Sequence, residues 1–114
     1  MYQNSYELAK EMYKIANQLP REETFGLVSQ IKRASTSIAL NIAEGYGKGV
    51  YGKELVRFLT MARGSCAEIE VLLNFCKDFG YITKDECERY ENEYEIVGRM
   101  LTSLIKKVEE QTRN

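Results

Sequence analysis

The sequence contains no histidine and no tryptophan, and it has one proline and three cysteines among its 114 residues. Without imidazole, a Ser–His–Asp triad, a zinc site with histidine ligands and histidine acid–base catalysis are all excluded. Cys66, Cys76 and Cys87 form no C-x-x-C pair, and an odd number of cysteines cannot pair completely within one chain. We therefore expect reduced thiols that fill the core or its boundary, as in a cytosolic protein.

Long apolar runs are also missing. No run approaches the roughly 20 residues that span a membrane, and the chain does not begin with a basic stretch followed by an apolar one. These absences favour a cytoplasmic protein with no membrane partner. A composition of 44% hydrophobic and 29% charged residues is typical of a single globular domain, here residues 1–114, with one core.

Charge is distributed unevenly along the chain, although the net charge is only −1. Residues 26–65 hold six Lys or Arg and two Asp or Glu, a net +4, whereas residues 66–95 hold three and nine, a net −6. Two regions of opposite sign can attract each other between subunits, or the basic region can contact nucleic acid.

Hydrophobic periodicity predicts four helices. They span about residues 5–19, 26–45, 53–79 and 84–111. Pro20 prevents the first helix from continuing, and Gly45 and Gly80 are expected to end the second and third. Thr83 and Glu86 form a T-x-x-E capping box at the start of the fourth. No β pattern competes, so we predict an all-α, up-down-up-down antiparallel four-helix bundle.

The second and third helices carry polar residues beside their apolar stripes. In an antiparallel pair joined by a loop near Gly49, facing residues have a nearly constant sum of residue numbers. Three pairs share the sum 101: Arg33 with Glu68, Ser37 with Gly64, and Glu44 with Arg57. We therefore expect these helices to lie side by side, with an ion pair on either side of a close approach at Gly64. This polar seam comprises Arg33, Ser37, Asn41, Glu44, Arg57, Gly64 and Glu68.

The connection over residues 46–52 holds three glycines, yet it lacks Walker spacing and follows no strand. A helix connection is therefore favoured over a phosphate cradle. Bundles can hold di-iron sites through paired Glu-x-x-His motifs, but this chain has no histidine to complete them. No nucleophile is accompanied by a base. We expect no enzymatic activity, no metal site and no cofactor.

Apolar residues beside the core stripes favour association with other copies of the chain, because they exceed what one bundle buries. Tyr6 and Tyr13 lie seven apart on the flank of the first helix, and Arg63 and Glu70 lie seven apart on the flank of the third that is opposite the polar seam. Ordinary amphipathic tyrosines and a solvated charged face are the alternative interpretations. The candidate subunit interface comprises Tyr6, Tyr13, Arg63, Glu70, Val71 and Phe75.

Basic residues near the loop and at the C-terminus are candidate contacts to RNA or to a nucleic-acid-bound protein. They are Lys32, Lys48, Lys53, Arg57, Lys106, Lys107 and Arg113. The pI near 5.6 is low for a protein that works mainly through phosphate contacts. A pure protein–protein scaffold therefore stands beside the RNA hypothesis.

Two stretches, Q-I-K-R-A-S-T-S-I-A-L-N-I-A-E-G over residues 30–45 and K-E-L-V-R-F-L-T-M-A-R-G-S-C-A-E-I-E over residues 53–70, closely resemble the bacterial 23S rRNA intervening-sequence proteins. Leu19-Pro20, the Phe-Gly-Leu at residue 25 and the Gly-Tyr-Ile at residue 80 match as well. The resemblance implies a four-helix bundle that assembles into a ring-shaped homopentamer. The accessory variability determinant of diversity-generating retroelements, a related group, binds a reverse transcriptase and nucleic acid through basic surfaces.

Overall fold

The computed structural model describes residues 1–47 and 49–113. It contains four α-helices: α1 (Tyr2–Gln18), α2 (Ser29–Gly47), α3 (Gly52–Asp78) and α4 (Lys84–Arg113). These two ranges contain no β-strand, so the all-α prediction is confirmed. None of the described helices is both long and apolar enough to cross a lipid bilayer.

The helices pack in chain order around one core, and α4 lies beside α1. Side chains connect each helix to its neighbour: Lys32 contacts the Tyr13 ring, Ser65 contacts Ser37, Asn74 contacts Glu91, and Tyr90 contacts Glu11. In the α2–α3 pair the residue number rises on one helix as it falls on the other, because Arg33 contacts Glu68 and Ser37 contacts Ser65. This pair is antiparallel, as the bundle prediction requires.

Each helix contributes one apolar stripe to the core, as its periodicity predicts. The most completely buried large side chains are Met12, Ile31, Ile38, Leu59, Ile69, Leu73, Tyr94 and Leu101. Tyr94 lies wholly in the core, and its hydroxyl is the only buried side-chain polar atom without a hydrogen-bond partner among the described residues.

The segment between α1 and α2 differs from the prediction. Residues Arg21–Glu23 form a 3₁₀ turn and Thr24–Val28 a π turn, in which Gly26 departs from helical geometry with φ −106° and ψ −107°. The predicted start of the second helix at residue 26 therefore falls inside the π turn. The Tyr81 hydroxyl donates to Glu23 Oε2 at 2.8 Å, which connects this segment to the loop between α3 and α4.

The prediction that Gly45 caps the second helix is wrong, because α2 continues to Gly47. A Cβ atom at Gly45 would lie 2.9 Å from Leu55 Cδ1 and 3.4 Å from Phe58 Cβ. The glycine therefore allows α3 to approach α2 closely. Gly64, the expected point of close approach, has open space where its Cβ would be, so that part of the prediction is also wrong.

The connection between α3 and α4 follows its sequence signals. Gly80 adopts φ +79°, which a glycine tolerates without strain, just beyond the end of α3. Thr83 Oγ1 accepts a hydrogen bond from the Glu86 backbone N–H, and Glu86 Oε1 accepts one from the Thr83 N–H, both at 3.0 Å. The predicted capping box is therefore confirmed, and it starts α4 at Lys84.

Candidate functional site

The polar seam runs along the outer side of the α2–α3 contact. Arg33 Nη2 donates to Glu68 Oε2 at 2.5 Å, so the predicted pair is present. The Arg33 side chain is 62% exposed and that of Glu68 is 35% exposed, which leaves the pair accessible to solvent. It connects the two helices at the end of the seam away from their loop.

The middle of the polar seam is a hydrogen-bonded cluster of small polar side chains. Ser65 Oγ donates to Ser37 Oγ at 3.0 Å, and Asn41 Nδ2 donates to the Ser37 carbonyl at 2.8 Å. The predicted partner of Ser37 was Gly64, which is wrong by one residue. One residue turns a helix by about 100°, so Ser65 faces α2 and Gly64 faces outward.

The second predicted ion pair of the polar seam is absent from the described part of the chain, where no nitrogen of the Arg57 guanidinium lies within 4.0 Å of a Glu44 carboxylate oxygen. The Arg57 guanidinium instead lies 4.7 Å from the centroid of the Phe58 ring. Both charged residues line an open groove of about 500 Å³, together with Ser37 and Asn41. This α2–α3 groove therefore combines polar and charged side chains with the apolar side chains of Leu40, Phe58 and Met61.

A second groove, the tyrosine groove, lies between α1 and α2 and encloses about 460 Å³. Its lining residues are Tyr2, Tyr6, Ala9, Lys10, Tyr13, Thr36, Ala39, Leu40 and Ala43. The candidate interface residues Tyr6 and Tyr13 are thus in one groove, and the cations of Lys10 and Lys32 lie 5.9 Å and 5.1 Å from their respective ring centroids. Leu40 of α2 is 60% exposed and borders both this groove and the α2–α3 groove.

Arg63 and Glu70 lie on the opposite side of α3, in an α3–α4 groove of about 490 Å³ that also contains Glu95 and Arg99. Neither Arg63 nor Glu70 has an ion-pair partner among residues 1–47 and 49–113. The pKa of Glu70 is raised from its ordinary value, first by partial burial and then by the nearby carboxylates of Glu95 and Glu91. This groove is charged and carries no large exposed apolar side chain.

The remaining candidate interface residues, Val71 and Phe75, are exposed on α3. Phe75 lies seven residues after Glu68, which places it on the same side of the helix, and its ring centroid is 5.8 Å from that of Phe79. The six candidate interface residues therefore occupy three different sides of the bundle. They do not form one continuous surface.

The candidate nucleic-acid contacts are only partly brought together. Lys53 and Arg113 line one pocket of about 230 Å³ where the start of α3 meets the end of α4. Arg57 follows one turn later on α3, and Lys106 and Lys107 are exposed two turns before the end of α4. The prediction that Lys32 lies near the loop is wrong. At a rise of 1.5 Å per residue, Lys32 is about 22 Å along α2 from the loop end of this helix. Lys48 lies outside the described residues.

The three thiols are free and buried. Burial raises the pKa of Cys66 to about 12 and the pKa values of Cys76 and Cys87 to about 11, which keeps them protonated at neutral pH. Within residues 1–47 and 49–113, no group of three or more Cys, Asp or Glu is arranged to hold a metal ion.

A family model described as 23S rRNA-intervening sequence protein matches residues 1–103. The chain belongs to the 23S rRNA-intervening sequence protein family. The match contains the whole polar seam and the tyrosine groove, whereas Lys106, Lys107 and Arg113 lie beyond its end.

A solved structure supports the same assignment. A protein of unknown function from the S23 ribosomal protein family of Bacteroides thetaiotaomicron superimposes with a TM-score of 0.83 at 27% sequence identity. The superposition covers 92% of this chain and 97% of that chain, so the two share the bundle along almost their full lengths. Comparison with curated proteins found no match.

The structure of this family member also reveals surface residues that sequence reasoning missed. Leu40 is an exposed apolar residue on the polar side of α2. An apolar residue at a polar position of the helical pattern is the feature of the sequence that could have indicated a surface contact. Tyr51, 80% exposed, is the residue just before α3 and stands two positions before Lys53 in the chain. Ser65 carried no signal, because a serine fits either a core boundary or an exposed helix face.

Proposed function

We propose that this chain is a non-enzymatic module that associates with copies of itself, in the cytoplasm, as a homo-oligomeric helical bundle. The tyrosine groove is the observation that carries this proposal. It is open to solvent and lined by exposed tyrosines, three alanines and Leu40, so a contact that covers it removes apolar surface from water.

The resemblance to the intervening-sequence family supports a ring-shaped homopentamer as the form of this assembly. Native mass spectrometry and light scattering test it directly, because the pentamer has five times the 13.2 kDa mass of one chain. A mass of one chain throughout the micromolar range would overturn self-association. A stable assembly with another number of chains would overturn the pentamer alone.

We propose no catalytic activity because the side chains lack the chemistry for it. The thiols are protonated and buried, and the chain has no imidazole to act as a base. Elemental analysis of the purified protein tests the metalloenzyme alternative. A bound transition metal at one equivalent per chain, retained through gel filtration, would refute a purely structural role.

RNA is a second proposed partner, supported by the joint position of Lys53, Arg113 and Tyr51 at one end of the bundle. Cationic side chains contact phosphates, and an exposed tyrosine ring stacks with an unpaired base. Glu109 in the same pocket weakens the positive potential, so a single patch is expected to bind weakly. A ring repeats the patch, and multivalency then strengthens binding.

Fluorescence anisotropy with a structured ribosomal RNA fragment, at low and at physiological salt, tests this partner. We expect salt-sensitive binding that the Lys53→Glu, Arg113→Glu double variant abolishes. The charge-matched control is Arg21→Glu, Lys84→Glu, which makes the same change of charge at the opposite end of the bundle, outside the tyrosine groove, and should retain binding. No binding by the wild-type protein even at low salt would reject RNA and leave the protein–protein scaffold.

A further inference from the structure

Two apolar surfaces lie on adjacent sides of the bundle. One is the tyrosine groove between α1 and α2. The other is the α4 ridge, formed by Ile96 and Met100, which are 52% and 40% exposed and one helical turn apart. Ile96 borders the groove between α1 and α4, so the ridge lies on the side of α4 that is turned towards α1.

Beside each surface lies one charged side chain without an ion-pair partner among the described residues, and the two side chains are of opposite sign. Lys32, at the edge of the tyrosine groove, contacts the Tyr13 ring and has no carboxylate within 4.0 Å among residues 1–47 and 49–113. Glu93, beside the ridge, has no cation within that distance among the same residues. Lys10, Lys14 and Arg89 also line the α1–α4 groove, so the complementarity is that of Lys32 and Glu93 and not of the two surfaces as a whole.

We infer that a second copy of this chain occupies the tyrosine groove and inserts its α4 ridge, with Glu93 of the inserted copy facing Lys32 of the receiving copy. The inference rests on the proposed self-association and identifies its two surfaces. A second copy is the occupant because the chain itself presents an apolar ridge whose neighbouring charge is opposite to that beside the groove. Apolar contact supplies the affinity, and the charges fix the orientation.

The contact joins two different surfaces, so it is heterologous and each copy can both receive and insert. Adjacent sides of a four-helix bundle face about 90° apart, whereas opposite sides face about 180° apart. A closed ring of five copies needs surfaces inclined at about 108°, and opposed surfaces build an open filament. The positions of the groove and the ridge therefore favour closure into a small ring.

Cysteine crosslinking in the intact assembly tests the contact. The test variant combines Leu40→Cys with Ile96→Cys, two exposed positions on diagonally placed helices that cannot reach each other within one chain. Mild oxidation should convert this variant into a ladder of covalent multimers on a denaturing gel. Each single variant should remain one chain, and the native thiols are buried and protonated, so they should not contribute.

The matched control combines Val71→Cys with Ile96→Cys, because Val71 is 56% exposed and lies outside both surfaces. It should give no ladder. Dimers from Leu40→Cys alone would show that two grooves face each other, and the inference would be wrong. A ladder from the control and the test variant alike would show contact without selectivity and would also reject it.

A charge exchange gives an independent measurement by native mass spectrometry. Lys32→Glu and Glu93→Lys should each lower the assembled fraction at low salt, and the double variant should restore it. If the wild type assembles and neither result is obtained, the assignment of these surfaces fails while self-association stands. If the wild type is a single chain, self-association itself fails, so the two failures are distinguished.

Discussion

Arg33 and Glu68 form the only ion pair between two helices among residues 1–47 and 49–113; the other ion pairs join residues on the same helix. Solvent screens the pair, so we expect a double-mutant cycle with Arg33→Ala and Glu68→Ala to give a coupling free energy of about 0.5 kcal/mol. Chemical denaturation measures it. The coupling should decrease as salt is added.

A cycle on Glu44 and Arg57 is the matched control, because these residues lie in the same polar seam without forming an ion pair in the described chain. We expect its coupling to be near zero. Equal couplings in the two cycles would show that the Arg33–Glu68 contact has no specific energetic role. The pair would then contribute neither stability nor register.

Two helical glycines should respond oppositely to the same substitution. Gly45→Ala places a Cβ against Leu55 and Phe58 of α3, so the helices must separate or Leu55 must change rotamer. We expect this variant to lose about 1 kcal/mol of unfolding free energy through overpacking. Gly64→Ala meets open space and gains helix propensity, so we expect about 0.5 to 1 kcal/mol of stabilisation.

Urea denaturation of both variants measures the difference. If Gly45→Ala stabilises the protein as much as Gly64→Ala does, the close approach of α2 and α3 at Gly45 has no energetic consequence. Circular dichroism of the folded variants serves as the control for helix content, which neither substitution should reduce.

The helices were predictable because local signals determine their type and most of their ends. Pro20 ends α1, and the capping box of Thr83 and Glu86 starts α4, since each acts through backbone geometry or hydrogen bonds within a few residues. The π turn before α2 was not predictable. Its anchor is the Tyr81–Glu23 hydrogen bond, which joins residues 58 positions apart in the sequence.

The polar seam was predicted correctly at one point and wrongly at two. Antiparallel packing keeps the sum of facing residue numbers nearly constant, and this rule correctly placed Arg33 opposite Glu68. It misplaced the close approach, because any small residue on the facing side satisfies the pattern and only the packing of Leu55 selects Gly45. The grooves require the positions of two helices at once, which no single helical pattern provides.

The buried hydroxyl of Tyr94 should make the protein less stable than its phenylalanine variant. This hydroxyl has no partner among the described residues, and burial raises the pKa of Tyr94, both of which reflect its transfer from water without compensation. We expect Tyr94→Phe to raise the unfolding free energy by about 1 kcal/mol. Thermal and urea denaturation measure the change.

Tyr81→Phe is the control for the same chemical substitution, because the Tyr81 hydroxyl donates to Glu23 at 2.8 Å. This variant should be less stable than the wild type, since it leaves the Glu23 carboxylate without its donor. A loss of stability in Tyr94→Phe would indicate that the hydroxyl has a hydrogen-bond partner in solution, contrary to the expected cost.

Burial and the carboxylates of Glu95 and Glu91 raise the pKa of Glu70 in the folded state above its ordinary value of 4.5. We therefore expect the free energy of unfolding to depend on pH above 4.5. The folded chain thus holds this proton to higher pH than the unfolded chain does. Ionisation then disfavours folding, so the free energy of unfolding falls as pH rises from 4.5 through the folded pKa. Below that window Glu70 is protonated in both states and contributes no pH dependence.

Glu70→Gln removes the ionisable group and should therefore match the wild type below pH 4.5 and exceed it at neutral pH. Since Glu70 is partly exposed and Arg63 and Arg99 line the same groove, solvent and these cations reduce the difference to about 0.5 kcal/mol. Unfolding in urea at a series of pH values measures it, and added salt should diminish it. A variant that is less stable than the wild type at neutral pH would show instead that Glu70 is engaged by a cation of the same groove, Arg63 or Arg99.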